Sequence, residues 1–238
     1  MTGSPILDAL LVGLIASSSL VIGGIVGALF DPPGRLVAVA LAFASGALIT
    51  ALSFDLIEES FQSGGVVFSG IGMLAGAGVF VITDSLLDKY IEGAAGGVSG
   101  FAILAAVTLD GVPENMALGV SLLSGTSVLT LLIAIFASNF PEALSGAVGM
   151  KEQGRTKFFV ISVWTVTALI LAAAVVLGSA VLSRASGEAL SLLLAFAGGA
   201  VLASLADTLM PDAYREGGGL VAFATVAGFF LSFMVEKI

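Results

Sequence analysis

The residues able to do chemistry are concentrated between Asp110 and Glu142, where two very apolar segments each carry a Pro-Glu pair, Pro113-Glu114 and Pro141-Glu142. Asp110 and Glu114 are four residues apart, and so are Ser138 and Glu142, with Asn139 three before Glu142. On a helix those spacings fall on one face, so each segment presents a stripe of oxygen donors one turn long. Each proline also removes the backbone hydrogen bond to the carbonyl four residues earlier, which frees the oxygens of Leu109 and Ala137. Acids in the middle of apolar helices are expensive and ask for a cation or a proton. The expectation is a metal-ion site inside a membrane transporter, with Asp110, Glu114, Ser138, Asn139 and Glu142 as its ligands.

The nature of the donors bounds the ion. The chain has no histidine and no cysteine, so imidazole, thiolate, disulfide and Cys-nucleophile chemistry are all absent. All eight Lys and Arg residues lie between or beyond the apolar segments, so no basic side chain inside a segment is available to pair with the acids. Protonated carboxylic acids bonding helix to helix, or acids lining a water-filled vestibule, are the other uses open to them. Carboxylate, amide, hydroxyl and carbonyl oxygens suit hard divalent ions by softness alone; Zn²⁺ and Fe²⁺ bind carboxylates but usually take imidazole or thiolate too.

The elements that must position these residues are membrane spans. The chain has 238 residues, of which 58% are hydrophobic and only 11% charged, and its mean hydropathy is +1.15. Soluble domains carry about 25% charged residues. The net charge of −9 argues against nucleic acid as a partner. Eight apolar segments, 6–30, 35–57, 66–87, 97–123, 127–150, 158–182, 188–210 and 219–236, each approach the ~20 residues a crossing needs. No Lys or Arg precedes Arg35, so the first segment reads as a span and not as a cleavable signal. Arg35, Lys89, Lys151, Arg155, Lys157 and Arg215 fall in odd-numbered connections, against Arg184 and Lys237 on the other side. That bias puts the odd connections in the cytoplasm and both termini outside.

The chain also repeats itself. Leu41 to Gly65 matches Leu194 to Gly218 without gaps, with ten of 25 positions identical. These are the second and seventh segments, five crossings apart, so they insert in opposite directions, as inverted-topology repeats do. The pseudo-two-fold axis then passes between the fourth and fifth segments and brings the two Pro-Glu motifs together near mid-membrane. The expected fold is an all-α membrane protein with eight transmembrane helices in an inverted three-plus-two-plus-three repeat. Residues 1–238 form one polytopic domain, with helices 1–3 and 6–8 as the repeats and helices 4–5 carrying the metal site.

Asp55 and Asp207, near the ends of the repeated segments, are possible pathway residues, with Glu58, Glu59 and Asp212 following them. Asp84 and Asp88 read as a helix-end pair beside Lys89, and Trp164 as a contact with lipid or a helix neighbour. The pairs Gly23/Gly27, Gly72/Gly76, Gly93/Gly97 and Gly96/Gly100 have the spacing that lets helices pack closely in lipid.

The paired motifs resemble those of ZIP (zinc–iron permease-like) metal transporters, whose fourth and fifth spans typically read His-Asn-x-Pro-Glu-Gly. Here the fourth reads Asp110-Gly111-Val112-Pro113-Glu114-Asn115 and the fifth Ser138-Asn139-Phe140-Pro141-Glu142-Ala143. The LAFA-containing repeats and the run from Asp207 to Pro211 are similar to spans two and seven of bacterial and archaeal members. The resemblance implies that Glu114 and Glu142 are bridging carboxylates and Asn139 a ligand. Asp110 and Ser138 stand where the family has His, or Gln on span five; Gly111 replaces a ligating Asn, and residues 158–182 lack the family's acidic ligand. One metal ion, rather than a binuclear pair, follows. The resemblance further implies uptake of Zn²⁺, Fe²⁺ or Mn²⁺ into the cytoplasm across the cell membrane, often by a homodimer in which one helical bundle slides against the other. The metal is then substrate, and no cofactor is implied.

No P-loop, HExxH or Ser-His arrangement occurs, which argues against ATP-driven pumping by this chain alone and against enzyme activity. A proton- or sodium-coupled exchanger or channel, or a transport-inactive metal sensor, would use the same carboxylates.

Overall fold

The structure is a computed structural model and describes residues 4–93, 100–124, 128–182 and 186–237. Every regular element among them is helical, which is what an apolar chain without water must do to satisfy its own backbone. The helices are α1 (Pro5–Leu29), α2 (Gly34–Ala51), α3 (Glu58–Gly93), α4 (Gly100–Ser124), α5 (Val128–Glu152), α6 (Lys157–Leu182), α7 (Gly187–Ser204), α8 (Met210–Gly217) and α9 (Leu220–Glu236). A π-helical turn, Leu52–Ile57, joins α2 to α3, and a second, Leu205–Leu209, joins α7 to α8. Five runs among the described residues are long and apolar enough to cross a membrane: Pro5–Leu29, Gly34–Leu87, Val128–Glu152, Lys157–Ala180 and Gly187–Gly217. Leu220–Glu236 is a shorter apolar helix.

Local chemistry sets the ends. Pro5 occupies the first turn of α1, and α2 starts after Pro33, positions where a missing N–H costs nothing. Ser186 caps α7 by accepting from the Ala189 amide at 3.3 Å. Gly154 closes α5 at φ +79 within the KEQGR turn. The polar stretch 62–65, expected to be a connection, is instead helical up to Gly65, whose φ of +75 breaks the helix inside α3. The alignment that pairs Leu41 with Leu194 also pairs the starts of the two π turns, Leu52 and Leu205. It likewise pairs the two positive-φ glycines Gly65 and Gly218. The repeat in sequence is therefore a repeat in local structure.

Glycines decide which helices touch. A Cβ on Gly46 would collide with the Thr225 carbonyl, and one on Gly228 with that of Phe43, so α2 and α9 interlock backbone to backbone. Gly76 meets the Phe196 carbonyl and Gly199 that of Met73, locking α3 to α7 in the same manner. Within the other four helices, Gly119 and Gly178 interlock α4 with α6, and Gly23 and Gly27 seat α1 on α5. Packing is the role expected of Gly23/Gly27 and Gly72/Gly76; the side-chain positions of Gly93, Gly96, Gly97 and Gly100 lie outside the description.

The register of these contacts fixes direction. Gly72 faces Leu192 and Ala195 while Gly76 faces Phe196 and Ala200, so α3 and α7 run the same way. By the same logic α2 runs with α9, α1 with α5 and α4 with α6, whereas α1 opposes α6 because Gly13 meets Ala172 and Gly24 meets Trp164. The outer surface is apolar: Phe158, Leu74 and Phe223 are each more than three-quarters exposed. So much exposed apolar surface suits lipid contact and not water.

Gly46→Ala should lower stability by about 1–3 kcal/mol, the usual cost of overpacking, whereas Gly78→Ala, where a Cβ meets nothing within 4 Å, should stay within about 0.5 kcal/mol. Thermal melts in detergent measure both.

Candidate functional site

The two proline-bearing helices, α4 and α5, touch each other inside the group formed with α1 and α6. Both prolines lie within continuous helix. Leu109, whose carbonyl loses its partner to Pro113, lines together with Pro113 a cavity of about 560 Å³ among α3, α4, α6 and α7. The interrupted backbone thus meets a cavity, as it must at membrane depth.

Around these prolines the polar side chains are buried. Glu114 is 5% exposed, Asn115 is fully buried, and Ser138 and Asn139 are each 3% exposed, while Glu142 is partly exposed. Asp110 lies on α4, but its side chain falls outside the described residues. Ser138 donates to the Ile135 carbonyl at 3.0 Å, which leaves its lone pairs free to accept from or bind something else. The Asn115 amide nitrogen donates to the Gly111 carbonyl at 2.9 Å. Its oxygen is then fully buried with no hydrogen-bond partner, and so is the amide nitrogen of Asn139. Leaving such a group unserved costs roughly 1–3 kcal/mol.

Neither helix holds a basic residue except Lys151 in the last turn of α5. Lys151 is engaged at the helix end, 2.6 Å from Asp31 and 2.7 Å from the Phe30 carbonyl. Among the described residues no three acidic side chains gather into a shell that would enclose a metal ion.

The remaining sequence candidates separate clearly. Asp55, on the first π turn, is 3% exposed, and its Oδ2 has no hydrogen-bond partner. Asp207, on the second π turn, is exposed. The two are one residue out of register: Asp207 aligns with Phe54, and Asp55 aligns with Thr208. Thr208, the residue aligned with Asp55, is exposed as well, so the two turns differ in burial at the same position of the repeat. Asp84 is half-buried on α3. Trp164 is 1% exposed and fills a notch between α1 and α5, where a Cβ on Gly24 or Gly146 would strike its ring; it is a helix contact.

Sequence reasoning passed over Asn115. Its signal was present, an amide directly after the Pro-Glu pair, but attention to residues spaced four apart excluded a neighbour one position on. It also passed over Glu236, whose Oε2 is buried without a partner.

No family model matches the chain. A protein of Arabidopsis thaliana provisionally named as a zinc transporter is 24% identical over 182 residues, covering 73% of this chain. The matched region spans only 29% of that relative.

Asn115→Leu should change metal-free stability by less than about 1 kcal/mol, since loss of the bond to Gly111 offsets removal of the orphaned oxygen. The stabilisation gained on adding a divalent metal should fall in the same variant. Paired melts with and without metal read both quantities.

Proposed function

We propose that the chain is a ZIP-like transporter of bacterial or archaeal type that moves a divalent metal ion of the Zn²⁺, Fe²⁺ or Mn²⁺ class into the cytoplasm without ATP and without enzyme activity. Its site is the oxygen-rich stretch of α4 and α5, with Asp110, Glu114, Ser138, Asn139 and Glu142 as ligands and Asn115 added to them. The observation that carries the reading is the orphaned, fully buried amide oxygen of Asn115, one residue from the buried Glu114. A buried oxygen without a donor is a place for a cation. The zinc-transporter name of the plant relative supports the same class of substrate.

In this proposal the whole chain is one membrane unit with eight crossings, an inverted repeat and both termini outside the cell. The helix directions support it. If α2 and α3 reverse at Gly65, and α8 and α9 at Gly218, alternating crossings give each direction read from the glycine contacts. The bias of six basic residues against two supports the orientation. Dimerisation and a place in the cell membrane belong to the proposal through the family resemblance.

The packing also supports a moving part. Glycine interlocks hold α2 to α9 and α3 to α7, and others hold α1, α4, α5 and α6. Against α1, α4, α5 and α6, the α3–α7 pair leaves a cavity of about 210 Å³ between α4 and α7, and α2 and α8 leave one of about 440 Å³ beside α5. Close-packed bodies that meet across voids are suited to slide as units.

Glu114→Gln and Glu142→Gln should each abolish metal-dependent stabilisation, worth about 2.7 kcal/mol when metal stands at a hundredfold its dissociation constant, and should stop metal entry into proteoliposomes. Asp84→Asn should leave both intact. Equal loss in all three would reduce the effect to general destabilisation. Flux that requires a Na⁺ or H⁺ gradient would indicate an exchanger, and binding without flux a sensor.

A further inference from the structure

A second set of acids lies away from α4 and α5, where the π turn after α2 meets the end of α9. Asp55 is 3% exposed and Glu59 is 9% exposed, and both Glu59 and Glu236 lie within electrostatic reach of Asp55. The Asp55 Oδ2 and the Glu236 Oε2 are both buried without a hydrogen-bond partner. These two oxygens do not bond each other, and both are buried inside the protein. The nearest ammonium does not serve them. Lys237 places its Nζ over the Phe54 ring, 4.9 Å from the centroid, and 5.6 Å from that of Phe233. Those two rings pack at 5.7 Å and bind α9 to the π turn, fixing the backbone from which Asp55 and Glu236 project.

We propose that Asp55 and Glu236, with Glu59 beside them, form a second cation-binding locus that takes a divalent ion retaining part of its water. Hard ions of this kind are commonly held by one or two carboxylates while water fills the remaining positions. That matches a place where two buried acid oxygens lack partners and no three-acid shell forms among the described residues. The class of ion is taken from the proposed function; the locus itself stands on the orphaned oxygens.

The test is a count of bound Mn²⁺ on the full-length protein in detergent, by electron paramagnetic resonance. Two equivalents are expected. Asp55→Asn and Glu236→Gln should each lose one and keep the other, with the melting temperature of the metal-free protein held or raised. Glu114→Gln should lose the opposite one. Glu236→Gln changes the last turn of α9 and decides the matter if Asp55→Asn does not fold. Wild-type Mn²⁺ content in folded Asp55→Asn and Glu236→Gln would overturn the locus, as would loss of both equivalents in either, since the site would then not be separate. Loss in these variants with full retention in Glu114→Gln would uphold the locus and overturn the α4–α5 reading instead.

Discussion

Everything in this molecule answers to the cost of leaving a polar atom unserved where water does not reach. Most buried hydroxyls meet it locally. Ser19, Ser45, Ser121 and Thr167 each hand their proton to a carbonyl three or four residues back on their own helix. A few meet it between helices: Thr50 donates to the Phe229 carbonyl, and Ser60, Ser69 and Ser191 bond one another where the break at Gly65 meets the start of α7. Against that background, the few atoms that stay unserved carry information. Among the described residues, Ser17 Oγ and Trp164 Nε1 stay unserved on α1 and α6, Asn115 Oδ1 and Asn139 Nδ2 on α4 and α5, and Asp55 Oδ2 and Glu236 Oε2 where the first π turn meets α9.

The same economy governs packing. Without a hydrophobic drive between helices in lipid, close approach of backbones is the main source of adhesion. The chain concentrates its interlocking glycines in the α2–α9 and α3–α7 pairs and within the set of α1, α4, α5 and α6. It leaves apolar voids at Pro113, Val112 and Phe196, where the groups meet. Stiffness and looseness are thus distributed by where glycine is placed. Pro113 sits at the junction and lines both voids between α4 and α7.

Much of the fold was legible because lipid imposes one rule on the backbone and one on side chains. Apolar runs bounded by DPPGR, KEQGRTK and SRASGE announce where helices stop. The repeat from Leu41 to Gly65 announces where two matching breaks occur. The π turns were not legible, since an extra residue in a helical turn leaves no mark in an apolar sequence. Nor was the helical character of residues 62–65, because a polar Gln-Ser-Gly-Gly stretch reads as a loop although only Gly65 leaves helical geometry. At the site, spacing pointed to Glu114, Ser138 and Asn139, all of which are buried. Burial separates Asp55 from Asp207, and that depends on the packing around each turn, which counting charges cannot weigh.

The two π turns present their acids differently. On the α9 side, Asp55 and Glu59 are buried, with Glu236 partly exposed beside them. On the α8 side, Asp207 turns outward, and Glu152, Asp212 and Glu216 line an open cavity of about 440 Å³. There the single ion pair, Asp212 with Arg215 at 3.2 Å, leaves an excess of negative charge. The chain therefore offers one end whose acids are largely buried, where a pairwise attraction is strong, and one whose acids line an open cavity, where it is weak.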